Sequence, residues 1–304
     1  MILNDESKRF EVYLNKYDFY KTIEEFLSFL ECVSNNIFQN HLDLRENKIR
    51  QYNYGFESSI MTVKGIVKLC EIGDFVDVFV LLRKIRDNVL LDYFFINDLV
   101  NNNPKIENCT DLNMKNLDEL MDTILKYMVE KEKFNLTNPE KQIIEKWYHN
   151  QNKDDEFKKT YKYSKYKKVI NKESEIGKYL YNILDKIDRI LNDYTHTNGV
   201  AYSINPSMKE GIEDRIMTLI NCIHSLENVF VIYAFYIDPL LLQSSDYIDC
   251  LDMGYTPNEE YKYYLFKPAL EIFERIKKDN PTYFEILKDD NKYGMFIEKS
   301  DYNN

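Results

Sequence analysis

The sequence predicts an all-α fold, built as a multi-helix bundle. Apolar residues recur at intervals of three and four along most of the 304-residue chain, which is the spacing of an amphipathic helix. Glycine and proline are scarce, with 8 and 7 residues, so the chain has few of the turn residues that β architectures need. No segment shows the convincing alternation of apolar and polar residues that is typical of a half-buried strand.

The first hundred residues contain the clearest helical patterns. Residues 1–52 predict one or two helices, and residues 55–71 predict another. Gly73 and Asp74 interrupt this pattern, and Asp74 is a plausible N-cap for the helix that follows. Residues 75–99 are apolar on nearly every side, so this helix is expected to be central and buried.

The middle of the chain predicts weaker helices and one polar segment before the pattern becomes strong again. Residues 117–131 and 139–148 carry the weaker helical patterns. Residues 150–172 turn polar and lysine-rich, which favours an exposed loop or a loosely packed helix. A long helix is expected over residues 174–194, ending near Gly199.

The last hundred residues predict one more long helix and a smaller C-terminal part. The long helix begins near Asn205-Pro206 and is expected to end at Asp238-Pro239. Short helices are expected around the three later prolines. We therefore expect residues 1–240 to form a helical core, with residues 241–304 as a helical extension packed on the same body.

Charge and composition restrict the classes of ligand that the chain is expected to bind. The formal net charge is -11, so nucleic acid would have to be bound through a local patch rather than through the overall field. The five cysteines and four histidines show no zinc-ligand spacing. No metal site is expected from this pattern, and no cofactor is expected because Gly-rich phosphate-binding loops are missing from the sequence.

The sequence predicts a cytoplasmic protein that does not act at a membrane. The N-terminal segment carries charges where a signal peptide has an apolar run. The longest apolar stretch, residues 229–242, is too short and too interrupted to span a bilayer, so a buried helix is the expected structure.

The most informative stretch for function lies at the end of the predicted helix 174–194. Arg189 and His196 are seven residues apart, which on a helix puts both on one face, about 10 Å apart along the axis. Asp193 lies between them and can pair with either. An arginine that binds phosphate and a histidine that moves a proton are the parts of a metal-independent nuclease site. The alternative is an ordinary solvated helix face with one ion pair.

The Arg189–His196 spacing at the end of a long helix resembles the R-x6-H motif of the HEPN superfamily. The context is also similar, with Leu81-Leu82-Arg83 and Arg86-Asp87 on an earlier helix. The resemblance covers residues 55–240 and implies a HEPN-like helical core. It also implies a homodimer and metal-independent RNA cleavage of the kind found in toxins and antiphage-defence effectors, with an antitoxin or a defence complex as a protein partner.

The resemblance implies a role for each residue of the pair. His196 would help to deprotonate a ribose 2′-hydroxyl, and Arg189 would stabilise the charged phosphorane. Asp193 would orient the imidazole.

Two arginines on the predicted helix 75–99 are candidate phosphate ligands. Arg83, Arg86 and Asp87 share one helix face, since they are three and four residues apart. A buried guanidinium must find a partner or border a cavity. One interpretation is therefore a polar cleft wall that binds phosphate near Arg189. The other is an internal salt-bridge network that holds helices together.

A local reversal of charge precedes the Arg189 helix. Residues 158–172 contain seven lysines and no acidic residue, with three tyrosines between them. Lysines neutralise phosphates and tyrosines stack on unpaired bases, which favours an RNA path beside the site. A solvated loop that offsets acidic neighbours is the alternative. The residues assigned to substrate binding in this stretch are Lys158, Lys159, Lys162, Tyr163, Lys165, Lys167 and Lys168.

Together these patterns predict a metal-independent RNA endonuclease that cuts with an Arg/His pair. The alternative function is a non-catalytic helical binding protein, such as a sensor or the scaffold subunit of a defence or regulatory complex. The acidic net charge favours that alternative, as does the apolar Ile190 after the arginine, where HEPN proteins often have a polar residue.

Overall fold

The computed structural model describes residues 3–41, 43–45, 48–50, 52–102, 167–195, 211–244, 253, 265–290 and 297. The predicted all-α class is confirmed, since eight α-helices account for most of these residues. The weaker helices expected over 117–131 and 139–148 lie outside the described residues.

Four helices and one small hairpin make up the N-terminal part. The helices are α1 Leu3–Lys16, α2 Phe19–Asn40, α3 Tyr54–Ile72 and α4 Phe75–Asn102, and the strands are β1 Asp43–Arg45 and β2 Lys48–Arg50. The strands pair antiparallel, with Leu44 opposite Ile49. The expectation of helix alone over residues 1–52 was therefore wrong near its end, because strands of three residues are too short to show an alternating pattern.

Four further helices belong to the C-terminal part. They are α5 Glu175–Thr195, α6 Ile212–Ile237, α7 Lys267–Asp279 and α8 Pro281–Asp289. Short 3₁₀ turns at Lys167–Val169 and Pro239–Leu242 precede α5 and follow α6. The predicted break at Asp238-Pro239 is confirmed, because the Asp238 carboxylate accepts a hydrogen bond from the Leu240 N–H and starts the second turn.

Helix α6 is the centre of the packing. It contacts α1, α2, α4, α5 and α7. The six residues from Val229 to Ala234, in its C-terminal half, are fully buried. The Phe230 ring stacks on Phe26 of α2 at 6.4 Å between centroids, and Tyr93 of α4 lies at the same distance edge-on. Each of the eight helices contributes buried apolar side chains to one core cluster that surrounds α6.

Helix α6 also has the length and apolar composition that a membrane span requires, unlike any other helix in the described ranges. Of its most apolar window, 67% is buried inside the protein. The core helix of a globular protein meets the same criterion, and in this structure neighbouring helices cover most of the apolar window of α6.

The C-terminal helices pack on the same core as the N-terminal ones. Helix α7 contacts α2 and α6, and α8 contacts α5. Phe273 of α7 lies edge-on to Phe235 of α6 at 5.8 Å, and Tyr283 of α8 stacks on Tyr179 of α5 at 4.3 Å. The extension expected over residues 241–304 thus contributes these two helices to one continuous apolar interior.

The connection between α3 and α4 is a tight turn at Gly73. This residue ends α3 in the left-handed conformation, with φ at 81°, and its N–H bonds back to the Cys70 carbonyl at 3.1 Å. The Asp74 carboxylate accepts from the Asp77 N–H at 3.3 Å, so the predicted N-cap is confirmed. The ring of Phe10 lies directly over Gly73, where a Cβ would come within 2.4 Å of it.

We predict opposite effects on stability for two glycine-to-alanine substitutions, one in the turn between α3 and α4 and one within α3. Gly73→Ala should lower the free energy of unfolding by about 2 kcal/mol, because a left-handed Cβ is strained and would collide with Phe10. Gly65→Ala, within α3, should raise it by roughly 0.5–1 kcal/mol, since its Cβ meets only Leu81 at an ordinary 3.6 Å. Urea unfolding of both variants checks this, and equal effects would contradict the turn geometry.

Candidate functional site

Helix α5 presents one apolar face and one charged face. Its buried stripe consists of Ile176, Leu180, Leu184, Ile187 and Leu191. The helix begins after Ser174, whose hydroxyl accepts from the Gly177 N–H at 3.0 Å, so the predicted start of the helix is confirmed. This sharp division fixes the rotation of the helix, because turning it would expose the whole stripe.

Arg189 lies on the outward face of α5. Arg189 is exposed, and no other described residue forms a hydrogen bond or an ion pair with its guanidinium. Asp193, one turn later, is half-buried. Helical backbone continues to Thr195, the residue directly before His196, and His196 itself lies outside the described residues. Arg189 and His196 share a face only if the chain between them is helical. The described backbone is helical from Arg189 to Thr195.

The end of α5 is held by an aromatic stack. The Tyr194 ring lies on Phe79 of α4, with centroids 3.9 Å apart and an angle of 16° between the rings. Since Phe79 is fully buried, the stack ties the last turn of α5 to the core. The backbone that leads into His196 is therefore placed by α4.

Arg86 of α4 is buried between α4 and α5. Its side chain is only 2% exposed, and its guanidinium donates to the Asp87 carboxylate at 2.8 and 2.9 Å. It also makes a close ion pair with Asp188 of α5. This geometry favours the internal salt-bridge network over a phosphate-binding cleft wall for Arg86. Arg83, one turn earlier on α4, is half-buried.

Lys167 joins the lysine-rich segment to the same network. Its Nζ lies 3.6 Å from Asp185 and 3.7 Å from Asp188 of α5. Its carbonyl oxygen accepts two hydrogen bonds of 2.7 Å, from the hydroxyls of Tyr181 and Tyr233. Burial raises the pKa of both phenols, so they stay protonated and keep donating. Lys167 is thereby fixed at the side of α5.

The other lysines assigned to substrate binding are placed only in part. The backbone of Lys168 belongs to the same 3₁₀ turn as Lys167. The remaining members of the set lie outside the described residues: Lys158, Lys159, Lys162, Tyr163 and Lys165.

Three residues of this site were missed in the sequence: Asp188, Tyr181 and Tyr233. A helical wheel gives a signal for Asp188, because it follows the buried Ile187 directly and flanks the apolar stripe of α5. An acidic residue at the edge of a buried stripe, together with an arginine on the apolar helix α4, predicts an ion pair between the two helices. Nothing in the sequence indicates that two tyrosines from different helices meet at one carbonyl.

A cavity of about 230 Å³ lies near the other end of α5. Asn97, Ser174 and Tyr236 line it, beside the apolar Val169 and Ile237. The Tyr236 hydroxyl already donates to Asp290 at 2.6 Å. The cavity is separated from Arg189 by most of the length of α5.

Among the described residues, no group of three or more His, Cys, Asp or Glu side chains is arranged to hold a metal ion. The acidic side chains nearest Arg189 in the network, Asp185 and Asp188, face Lys167 and Arg86.

We predict that the two arginines differ in their effect on stability. Arg86→Met should lower the free energy of unfolding by about 2–3 kcal/mol, because it leaves the Asp188 carboxylate without its guanidinium in a mostly buried position. Arg189→Met, on the exposed face, should change it by less than about 0.5 kcal/mol. Chemical denaturation of both proteins at neutral pH measures this. Equal stability of the two variants would mean that the Arg86 network does not hold α4 and α5 together.

Comparison of the chain with protein-family models, with curated proteins and with solved structures found no match. A proposal for its function therefore rests on the side chains of α5 and their neighbours.

Proposed function

We propose that the protein is a metal-independent endoribonuclease that cuts RNA with Arg189 and His196. The observation that carries the proposal is the position of Arg189. It projects from the outward face of α5 on a helix that continues to the residue before His196. The seven-residue spacing predicts that the two side chains leave the same face about two turns apart, with room for a phosphate between them.

The chemistry follows from the two side chains. His196 accepts the proton of a ribose 2′-hydroxyl, and the 2′-oxygen attacks the adjacent phosphorus. Arg189 binds the extra negative charge of the phosphorane through its planar set of donors. The bond to the 5′-oxygen then breaks, this oxygen takes up a proton from water, and the products are a 2′,3′-cyclic phosphate and a 5′-hydroxyl. The imidazolium of His196 returns its proton to solvent. Asp193 orients the imidazole.

Substrate reaches this site along the lysine and tyrosine side chains that precede α5. The anchoring of Lys167 against Asp185 and Asp188 supports such a path, because it fixes the end of the segment beside the helix that carries Arg189. Arg83 is the candidate for a phosphate contact on α4. Arg86 is assigned a different role, since its guanidinium is occupied by carboxylates and holds α5 in place.

The proposed enzyme acts as a homodimer in the cytoplasm. An outward helix face binds RNA on one side only, and a second copy would supply the opposite wall of a cleft. Such an enzyme belongs with HEPN-like toxins or antiphage-defence effectors, which makes an antitoxin or a defence complex its expected protein partner.

A non-catalytic binding or scaffold protein is the second candidate. It is favoured by one observation, the burial of Arg86. Of the two arginines assigned to phosphate on α4, one is enclosed and neutralised by acidic side chains, which leaves the site less basic than a nuclease cleft would be.

We predict that the purified protein cleaves total cellular RNA in the presence of a chelator. His196→Ala and Arg189→Ala should each reduce the rate at least about 100-fold, as loss of a general base or of a charge-stabilising group does. Lys178→Ala is the matched control, because it removes an exposed positive charge from the same helix far from the pair. It should retain the wild-type rate.

Product ends decide between the two candidate functions. Cyclic phosphate ends that require both Arg189 and His196 support the nuclease. If wild type and all three variants are inert and equally harmless to growing cells, the nuclease proposal is wrong. Affinity capture with cross-linking should then identify the protein bound to the helical surface.

A further inference from the structure

Helix α4 holds α5 at two points. Near the start of α4 the Phe79 ring stacks on Tyr194 of α5, and two turns later the Arg86 guanidinium pairs with Asp188. Residue numbers rise along α4 as they fall along α5, so the two helices run antiparallel. The spans also match, since seven residues of α4 rise about 10 Å and six residues of α5 about 9 Å. Helix α4 therefore fixes the position of α5 along its axis and its rotation.

These two contacts lie beside the two residues of the proposed cleavage site. Asp188 directly precedes Arg189, and Tyr194 is two residues before His196 in the chain. At about 100° per residue, Arg189 points about 100° away from Asp188 and about 140° away from Tyr194. Both contacts therefore hold the sides of α5 that face the core, and Arg189 is left outward.

The stack on Phe79 supports the last turn of α5. The end of a helix is its least stable part, because its final four carbonyl groups have no partner within the helix. After the buried Leu191, this turn contains the polar Asn192 and Asp193 and the aromatic Tyr194. Of these three, only Tyr194 packs against the core cluster, where Phe79 is fully buried. The stack is therefore the apolar contact that joins this turn to the core.

We propose that Phe79 is a positioning residue of the cleavage site, which holds the last turn of α5 through Tyr194 and so sets the approach of His196 to a phosphate bound at Arg189. The inference rests on the proposed function. Because Phe79 is fully buried, it contacts no substrate and acts only through Tyr194. Its effect on the rate comes from geometry, since a shift of about 1 Å in a reacting group can cost about 100-fold.

A second phenylalanine of α4 provides a matched control. Phe75 lies one turn before Phe79, is 1% exposed, and packs edge-on to Phe10 of α1 with centroids 6.2 Å apart. Replacing either ring by leucine creates a similar cavity and should lower the stability by a similar amount. Of the two rings, it is Phe79 that stacks on α5. The two variants therefore separate positioning from a general loss of stability.

Steady-state cleavage of one RNA oligonucleotide by the full chain tests the proposal. Phe79→Leu should lower kcat about tenfold and change KM by less than about twofold, because Arg189 still binds the phosphate while the proton transfer is misaligned. Phe75→Leu should keep kcat within about twofold of wild type. Tyr194→Phe should also keep it, because a phenyl ring stacks on Phe79 as a phenol ring does.

Hydrogen exchange provides a second measurement that does not depend on cleavage. Amides in the last turn of α5, residues 192–195, should exchange roughly tenfold faster in Phe79→Leu than in wild type and at the wild-type rate in Phe75→Leu. Tyr194→Leu should have the same effects on exchange and on kcat as Phe79→Leu. It covers the case in which Phe79→Leu does not fold, because Tyr194 is only partly buried.

The outcomes distinguish failure of this inference from failure of the proposed function. A wild-type protein that does not cleave RNA overturns the proposed function, and the role of Phe79 in it. If wild type cleaves RNA and both phenylalanine variants lower kcat equally, the positioning role alone is wrong. The same holds if Tyr194→Phe is as damaging as Tyr194→Leu, or if exchange in the last turn of α5 is equal in the two phenylalanine variants.

Discussion

The ion pair between Arg86 and Asp188 is the constraint on which the arrangement of α4 and α5 depends. It joins two helices whose contact surfaces are otherwise apolar and aromatic. A guanidinium in such a place has to be paired, so only a few relative positions of the two helices are allowed. Asp188 is adjacent to Arg189 in the chain, and holding the one inward directs the other to solvent.

Other buried polar groups also have to be paired, and their hydrogen bonds hold neighbouring segments of the core in position. His41 at the end of α2 bonds through Nε2 to the Asp238 carboxylate at 2.9 Å. The Asn36 amide donates to the Leu241 and Gln243 carbonyls at 2.9 and 2.8 Å. These contacts tie α2 to the turn that follows α6. Each replaces a hydrogen bond to water, so their main effect is to select one arrangement of the chain rather than to add much stability.

Much of the local structure could be predicted from periodicity and capping residues. The helices on either side of Gly73 and the helix after Ser174 were all indicated by apolar spacing and by residues whose local chemistry is specific. The three-residue strands escaped notice because they contain too few residues for a period. For the candidate site, the exposure of Arg189 followed from the helical wheel. The partner of Arg86 did not, because an apolar helix that carries an arginine is compatible with either a cleft or an ion pair.

The sequence by itself determined the all-α class, the main helix boundaries and which face of α5 is outward, because these depend on interactions within a few residues. The tertiary structure alone decided that Arg86 meets Asp188 and that two tyrosine hydroxyls hold the Lys167 carbonyl. The contact between Arg86 and Asp188 joins residues 102 positions apart, and only the packing of the whole core brings such residues together.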